Sequence, residues 1–140
     1  MKNYTIAVFG YLIPTFILGV VWHFVIFSKL YESFGIYNRK DPIIPLGFGS
    51  MLIQGLILAY LYPFYRKDGE NPIKRGIQFG LITGIFLYSV STIANAAKIQ
   101  VNFMTEWFVV QAAFHIIQFV IAGSLIGLAY REKISSIGKP

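Results

Sequence analysis

The feature that most constrains this chain is a set of four apolar runs, each longer than 20 residues. They cover residues 6–27, 43–65, 76–97 and 107–130, and none of them contains Asp, Glu, Lys or Arg. A helix needs roughly 20 mainly apolar residues to cross a bilayer, and in lipid a helix satisfies its own backbone hydrogen bonds. The sequence therefore predicts an all-α integral membrane protein, a four-helix bundle forming a single domain over residues 1–140.

Composition excludes the soluble and disordered classes. Hydrophobic residues make up 56% of the 140 residues and charged residues only 13%, whereas soluble domains carry about 25% charged residues. Disordered chains are poor in aromatic residues, yet 17% of this chain is aromatic. There is no cysteine, which excludes thiolate catalysis and Cys-ligated metals.

The formal charge of +6 reflects basic clusters between the runs, which predict membrane orientation rather than a nucleic-acid partner. The N-terminus, the second loop and the C-terminal tail hold eight Lys and Arg residues, and the first and third loops hold four. Because basic loops stay in the cytoplasm, both termini are predicted to be cytoplasmic.

The two halves of the chain show a faint repeat. Phe9-Gly10 in the first run matches Phe79-Gly80 in the third at an offset of 70 residues, and Gln54 in the second run corresponds to Gln118 in the fourth at an offset of 64. Two hairpins of the same orientation would form a parallel repeat related by an axis along the membrane normal.

Small residues recur at the spacing that lets membrane helices approach closely. Gly80 and Gly84 in the third run, and Gly123 and Gly127 in the fourth, each form a Gly-xxx-Gly pair. These faces are predicted to pack either within the chain or against a partner.

Polar side chains in the runs recur at helical spacing, which places each set on one helix face. Because polar groups are costly in lipid, these faces are expected to converge inside the bundle, in the half of the membrane away from the cytoplasm. The candidate ligand-binding residues are His23, Gln54, Tyr88, Thr92, Asn95, Gln111, His115 and Gln118.

Three interpretations of this polar cluster remain open. His23 and His115 could be the axial ligands of a b-type haem held between facing helices. The His and Gln side chains could instead bind a quinone or another lipid-soluble ligand. The third interpretation is structural, with hydrogen bonds between helices that contribute about 0.6 kcal/mol each.

Catalytic and metal sites are not predicted. No carboxylate lies inside a run, so paired-carboxylate chemistry and a carboxylate-driven proton-coupled transporter lack their central group. Ser89, Ser91 and Thr92 offer hydroxyls, but no motif that orients a base accompanies them. We expect a non-enzymatic protein that binds a membrane complex, a second copy or a hydrophobic molecule. A haem or quinone electron-transfer subunit and a small transporter or channel are the alternatives.

The first run ends in Gly19-Val20-Val21-Trp22-His23, followed by Phe27-Ser28-Lys29-Leu30-Tyr31. In this segment the chain resembles an uncharacterised bacterial family of small four-span membrane proteins, whose first helix ends in Gly-x-x-Trp-Tyr or Gly-x-x-Trp-His. The likeness implies the same four-span fold, in the bacterial cytoplasmic membrane. It implies no reaction, and the family's frequent tyrosine at the position of His23 means that a histidine is not obligatory there.

The predicted orientation can be tested with a topology reporter fused after Pro140. A reporter enzyme that works only in the cytoplasm should be active in this fusion, because the basic clusters keep the C-terminal tail on the cytoplasmic side of the membrane. A reporter that is active only outside the membrane, fused at the same site, serves as the control. Activity of that second reporter alone would reverse the orientation.

Overall fold

The computed structural model describes residues 1–36, 39 and 41–131, which form helices and turns without a strand. Four of its helical segments are long and apolar enough to cross a membrane: Lys2–Ile26, Ile44–Tyr65, Pro72–Ala96 and Met104–Ala129. We number them spans one to four in chain order. The predicted all-α four-helix fold is confirmed, and the protein is a multi-pass membrane protein.

Two of the spans change helix type near the same end of the bundle. Span one is an α-helix over Lys2–Val20 and a π-helical turn over Val21–Ile26, and a short helix, Ser28–Ser33, follows it. Span three is an α-helix over Pro72–Tyr88, a π-helical turn over Ser89–Ile93 and a last helical turn over Ala94–Ala96. The two π turns begin 68 residues apart, close to the 70-residue offset seen in the sequence. The repeat itself stays a prediction.

Three spans begin three or four residues before the apolar runs. Span three shows the reason, since its start is set by capping rather than by hydrophobicity. The side chain of Asn71 accepts hydrogen bonds from the backbone N–H groups of Ile73 and Lys74 at 3.0 and 3.1 Å. Pro72 occupies the first turn, where its missing N–H costs nothing. The first turn therefore includes charged residues that an apolar pattern leaves out.

Spans three and four pack backbone to backbone at Gly76, Gly80, Gly123 and Gly127, while Gly84 packs against the side chain of Phe119. A Cβ atom added at Gly80 would clash with the carbonyl oxygen of Phe119, and one added at Gly123 would clash with that of Gly76. Gly127 lies just as close to the carbonyl oxygen of Pro72. These glycine faces therefore pack within the chain.

Span one lies between spans two and four and contacts both. Span two meets span three mainly near one end, where the rings of Tyr62 and Tyr65 lie 5.3 and 5.4 Å from that of Phe79. At this end the guanidinium of Arg66 donates to the carbonyl oxygen of Tyr130 at 2.8 Å, which ties span two to the end of span four. We call it the basic end, after Lys2, Arg66, Lys67, Lys74, Arg75 and Arg131.

Buried apolar residues form two clusters, one toward each end of the bundle. The basic-end cluster is Ala7, Val8, Tyr11, Leu58, Ala59, Tyr62, Phe79, Phe119, Ala122 and Ile126. The aromatic-end cluster is Trp22, Tyr31, Phe34, Val101, Trp107 and Phe114. The backbone N–H of Asn102 donates to the carbonyl oxygen of Phe34 at 3.0 Å, so the first and third loops join over the aromatic-end cluster.

Replacing Gly80 with alanine should destabilise the bundle by about 1–3 kcal/mol, because the added methyl group forces spans three and four apart. The matched control is Gly49→Ala in span two, where an added Cβ meets nothing within 4 Å among the described residues. Thermal unfolding in detergent, followed by circular dichroism, should show a lower midpoint for Gly80→Ala alone. Equal midpoints for the two variants would contradict this packing.

Candidate ligand-binding site

A cavity of about 420 Å³ lies among the four spans, on the side of the bundle away from the basic end. It runs along span two from Ile44 to Gln54, about 15 Å at 1.5 Å per residue. Pro42 and Ile43, which precede span two, also line the cavity. The side chains lining it are mainly apolar, and the polar side chains among them are Thr15, His23, Ser50, Gln54, Ser91, Gln111, His115 and Gln118.

Both histidines on the cavity wall are held by their own helix. Nδ1 of His23 lies 2.8 Å from the carbonyl oxygen of Gly19, and Nδ1 of His115 lies 2.7 Å from that of Gln111. A carbonyl oxygen only accepts, so Nδ1 carries the proton in each ring. In the neutral imidazole Nε2 is then an acceptor. Both rings therefore present a lone pair.

The two Nε2 atoms differ in their surroundings. Nε2 of His115 accepts a hydrogen bond from Oγ of Ser91 at 3.1 Å. Within the described part of the chain, no hydrogen bond is made by Nε2 of His23. The ring of Phe114 lies 4.7 Å from that of His23 and 5.6 Å from that of His115, so one aromatic side chain contacts both imidazoles.

A chain of hydrogen bonds forms the floor of the cavity and crosses three spans. The hydroxyl of Tyr11 donates to Oε1 of Gln54 at 2.5 Å and accepts from Nε2 of Gln118 at 3.3 Å. Nε2 of Gln54 donates to Oγ of Ser50 at 3.3 Å. The floor is thus polar but internally bonded, which suits its depth in the membrane.

The structure brings five of the eight candidate residues together around the cavity: His23, Gln54, Gln111, His115 and Gln118. The three candidates from span three lie elsewhere. Tyr88 lines a separate cavity of about 140 Å³ and donates to the carbonyl oxygen of Phe108 at 3.2 Å. Thr92 is fully buried, and Asn95 donates to the carbonyl oxygen of Ser91 at 2.8 Å.

The π turn changes the direction of the side chains that follow Tyr88 in span three, where Ser91 lines the cavity. In a π turn the backbone N–H bonds to the carbonyl oxygen five residues earlier, whereas in an α-helix it bonds to the one four residues earlier. The side chains after the turn therefore point in different directions from those of a continuous α-helix. A uniform step of 100° through Ser89–Ile93 therefore misplaces Thr92 and Asn95. Tyr11 was missed as well, because a lone tyrosine in an apolar run does not reveal that its hydroxyl pairs with two glutamines. The only sequence feature that indicated this pairing was the correspondence of Gln54 with Gln118 in the repeat.

Span two leaves one side of the cavity loosely closed. Its first residues are exposed around the whole helix, with Leu46 71% and Phe48 40% exposed. A Cβ added at Gly47 or Gly49 meets nothing within 4 Å among the described residues. The main aromatic contact here is between Phe48 and Phe16, whose ring centres lie 5.8 Å apart. A membrane-soluble molecule can therefore reach the cavity laterally, beside span two.

Comparisons with known proteins add no assignment: no family model, no curated protein and no solved structure matches the chain.

Replacing Tyr11 with phenylalanine should destabilise the protein by about 1–2 kcal/mol, because it leaves the amides of Gln54 and Gln118 without their shared partner. Tyr60→Phe is the matched control, since that side chain is 62% exposed. Unfolding midpoints in mixed micelles check the difference. A Tyr11→Phe protein as stable as the Tyr60→Phe protein would show that the bonded floor contributes nothing.

Proposed function

We propose that this protein binds a lipid-soluble molecule with a polar head, of the quinol or phenol type, in the cavity between its spans, in the bacterial cytoplasmic membrane. The observation that carries the proposal is the pairing of an apolar wall with polar groups that have no hydrogen-bond partner among the described residues. The cavity volume of about 420 Å³ lies within the 300–1,000 Å³ usual for ligand pockets.

The polar groups indicate what the head must offer. Nε2 of His23 is an acceptor, so it calls for a hydroxyl or N–H donor on the ligand. Gln111 is 8% exposed, and its side-chain amide makes no hydrogen bond within the described residues. It can donate to a carbonyl or hydroxyl oxygen. A hydroxylated ring satisfies both groups, while its hydrocarbon part contacts Phe16, Phe48 and Phe114.

The predicted membrane partner has less support than the ligand. Spans three and four already use their glycine pairs on each other, so those faces are not offered to another protein. The cavity, in contrast, lies open beside span two. Binding a small apolar molecule is therefore the part of the prediction that we carry forward.

A b-type haem is the second candidate, and the histidine geometry favours it. Haem ligands bind through Nε2 while Nδ1–H is held by a carboxylate or a backbone carbonyl. The sequence offers no carboxylate for this purpose, but carbonyl oxygens of Gly19 and Gln111 hold both Nδ1–H groups. For His115 to bind iron, however, the hydrogen bond from Ser91 would have to break.

Filling the cavity should weaken the binding of a short-chain quinol analogue, whose hydroxyl groups can donate to Nε2 of His23. Gly47 lines the cavity, and a Cβ added there meets nothing within 4 Å among the described residues, so Gly47→Leu places a bulky side chain at the cavity wall. Gly49→Leu is the matched control, because Gly49 also has open space but does not line the cavity. Quenching of tryptophan fluorescence measures the affinity, since Trp22 packs against Phe114 at 5.8 Å.

Gly47→Leu should weaken binding at least tenfold and Gly49→Leu should leave it unchanged. His23→Ala should weaken it about tenfold, which corresponds to one hydrogen bond of about 1.4 kcal/mol. Saturable binding that neither Gly47→Leu nor His23→Ala alters would contradict the proposed site. A purified protein with a Soret band that His23→Ala and His115→Ala both remove would establish the haem alternative instead.

A further inference from the structure

The cavity wall carries a serine and a histidine in the arrangement of an activated nucleophile. Oγ of Ser91 lies 3.1 Å from Nε2 of His115, and Nδ1–H of His115 is donated to the carbonyl oxygen of Gln111 at 2.7 Å. Nε2 is thus unprotonated and accepts the hydroxyl proton of Ser91. Nucleophilic serines are recognised by this geometry, in which the base touches the hydroxyl and a third group orients the base.

We propose that Ser91 is a nucleophile that takes an acyl group from a carboxylic ester bound in the cavity, with His115 as its general base. This activity rests on the proposed function, because the ester must enter the same cavity. The apolar wall fits the hydrocarbon part of such an ester, and both Ser91 and His115 line the cavity.

The reaction needs no group beyond the ester and water. Oγ of Ser91 attacks the ester carbonyl carbon while its proton passes to Nε2 of His115. The bond from that carbon to the ester oxygen then breaks, and the alcohol leaves with the proton from the imidazolium. Water attacks the acyl-serine, passing one proton to Nε2, and Oγ of Ser91 recovers that proton as the carboxylic acid leaves.

The cavity provides for the two other needs of acyl transfer. The cavity extends as far as Pro42 and Ile43, before the start of span two, and we assign the entry of water to that end. The negative charge that develops on the carbonyl oxygen needs a donor. Gln111 lines the same cavity, and its side-chain amide has no partner among the described residues. We assign the amide N–H of Gln111 to that charge.

The neighbouring serine offers a matched comparison. Ser89 belongs to the same π turn, but its hydroxyl donates to the carbonyl oxygen of Phe86 at 2.7 Å, and it does not line the cavity. Ser91 instead has an exposed side chain directed at His115. If contact with His115 is what activates the hydroxyl, only Ser91 should react.

The test uses the full-length protein in mild detergent and a fluorophosphonate with a long alkyl chain, which reacts covalently with activated serines. Peptide mass spectrometry should find one adduct, on Ser91, and Ser91→Ala should lack it. Ser89→Ala should label at the rate of the unchanged protein. His115→Gln should label about 100-fold more slowly, since glutamine can hydrogen-bond Ser91 but cannot take its proton.

Two results would overturn the proposal. One is a folded protein that binds the quinol analogue normally but forms no adduct on Ser91. The other is labelling of Ser91 at an unchanged rate in His115→Gln, which would leave the contact as a hydrogen bond between spans three and four. Failure of the analogue to bind at all would count against the proposed function. The labelling of Ser91 is a separate measurement, so the two proposals can fail independently.

Discussion

The backbone contact between spans three and four is the interaction on which the rest of the structure depends. No hydrophobic force joins helices in lipid, so close approach and dispersion must do so. Gly76 and Gly80 on span three meet Gly123 and Gly127 on span four, where any side chain would clash with a carbonyl oxygen. Because these glycines occupy one face, the contact fixes the rotation of span four about its axis.

That rotation decides which groups face the cavity. At about 100° per residue, Gln111 and Gln118 lie roughly 120° and 140° around span four from Gly123. With the glycine face held against span three, both glutamines turn toward span one. There Gln118 reaches the hydroxyl of Tyr11, and through it Gln54 of span two. Polar contacts thus follow from the glycine packing, and they bring span two into the bundle.

Toward the aromatic end, the described residues give span two no comparable anchor. Its close contacts lie near the basic end, where Tyr62 and Tyr65 pack on Phe79. Around Gly47 the helix has open space instead. A segment with few packed neighbours is the part of a protein that opens at least cost. The same sparse packing creates the cavity and leaves it open on one side.

The spans and most of the polar faces were predictable from the sequence, because length, missing charge and helical spacing act locally. Gln111, His115 and Gln118 follow regular α-helix and all line the cavity. The span-three residues that line the cavity were not predictable, since the residue types in Ser89–Ile93 do not indicate a π turn. The sparse packing of span two was not predictable either, because it depends on which helices contact each other. Helix faces that pack against protein and faces that contact lipid are both apolar, so composition does not distinguish them.

The two histidines looked equivalent in the sequence, yet the structure makes them chemically different. Both have Nδ1–H fixed by a carbonyl oxygen four residues earlier, so both offer Nε2 as an acceptor. At His115 this atom accepts a hydrogen bond from the hydroxyl of Ser91, whereas His23 lines the cavity and its Nε2 has no hydrogen-bond partner among the described residues. A ligand's donor should therefore bind first at His23. Because binding there displaces no hydrogen bond made between described residues, it leaves the contact between Ser91 and His115 intact beside the bound molecule.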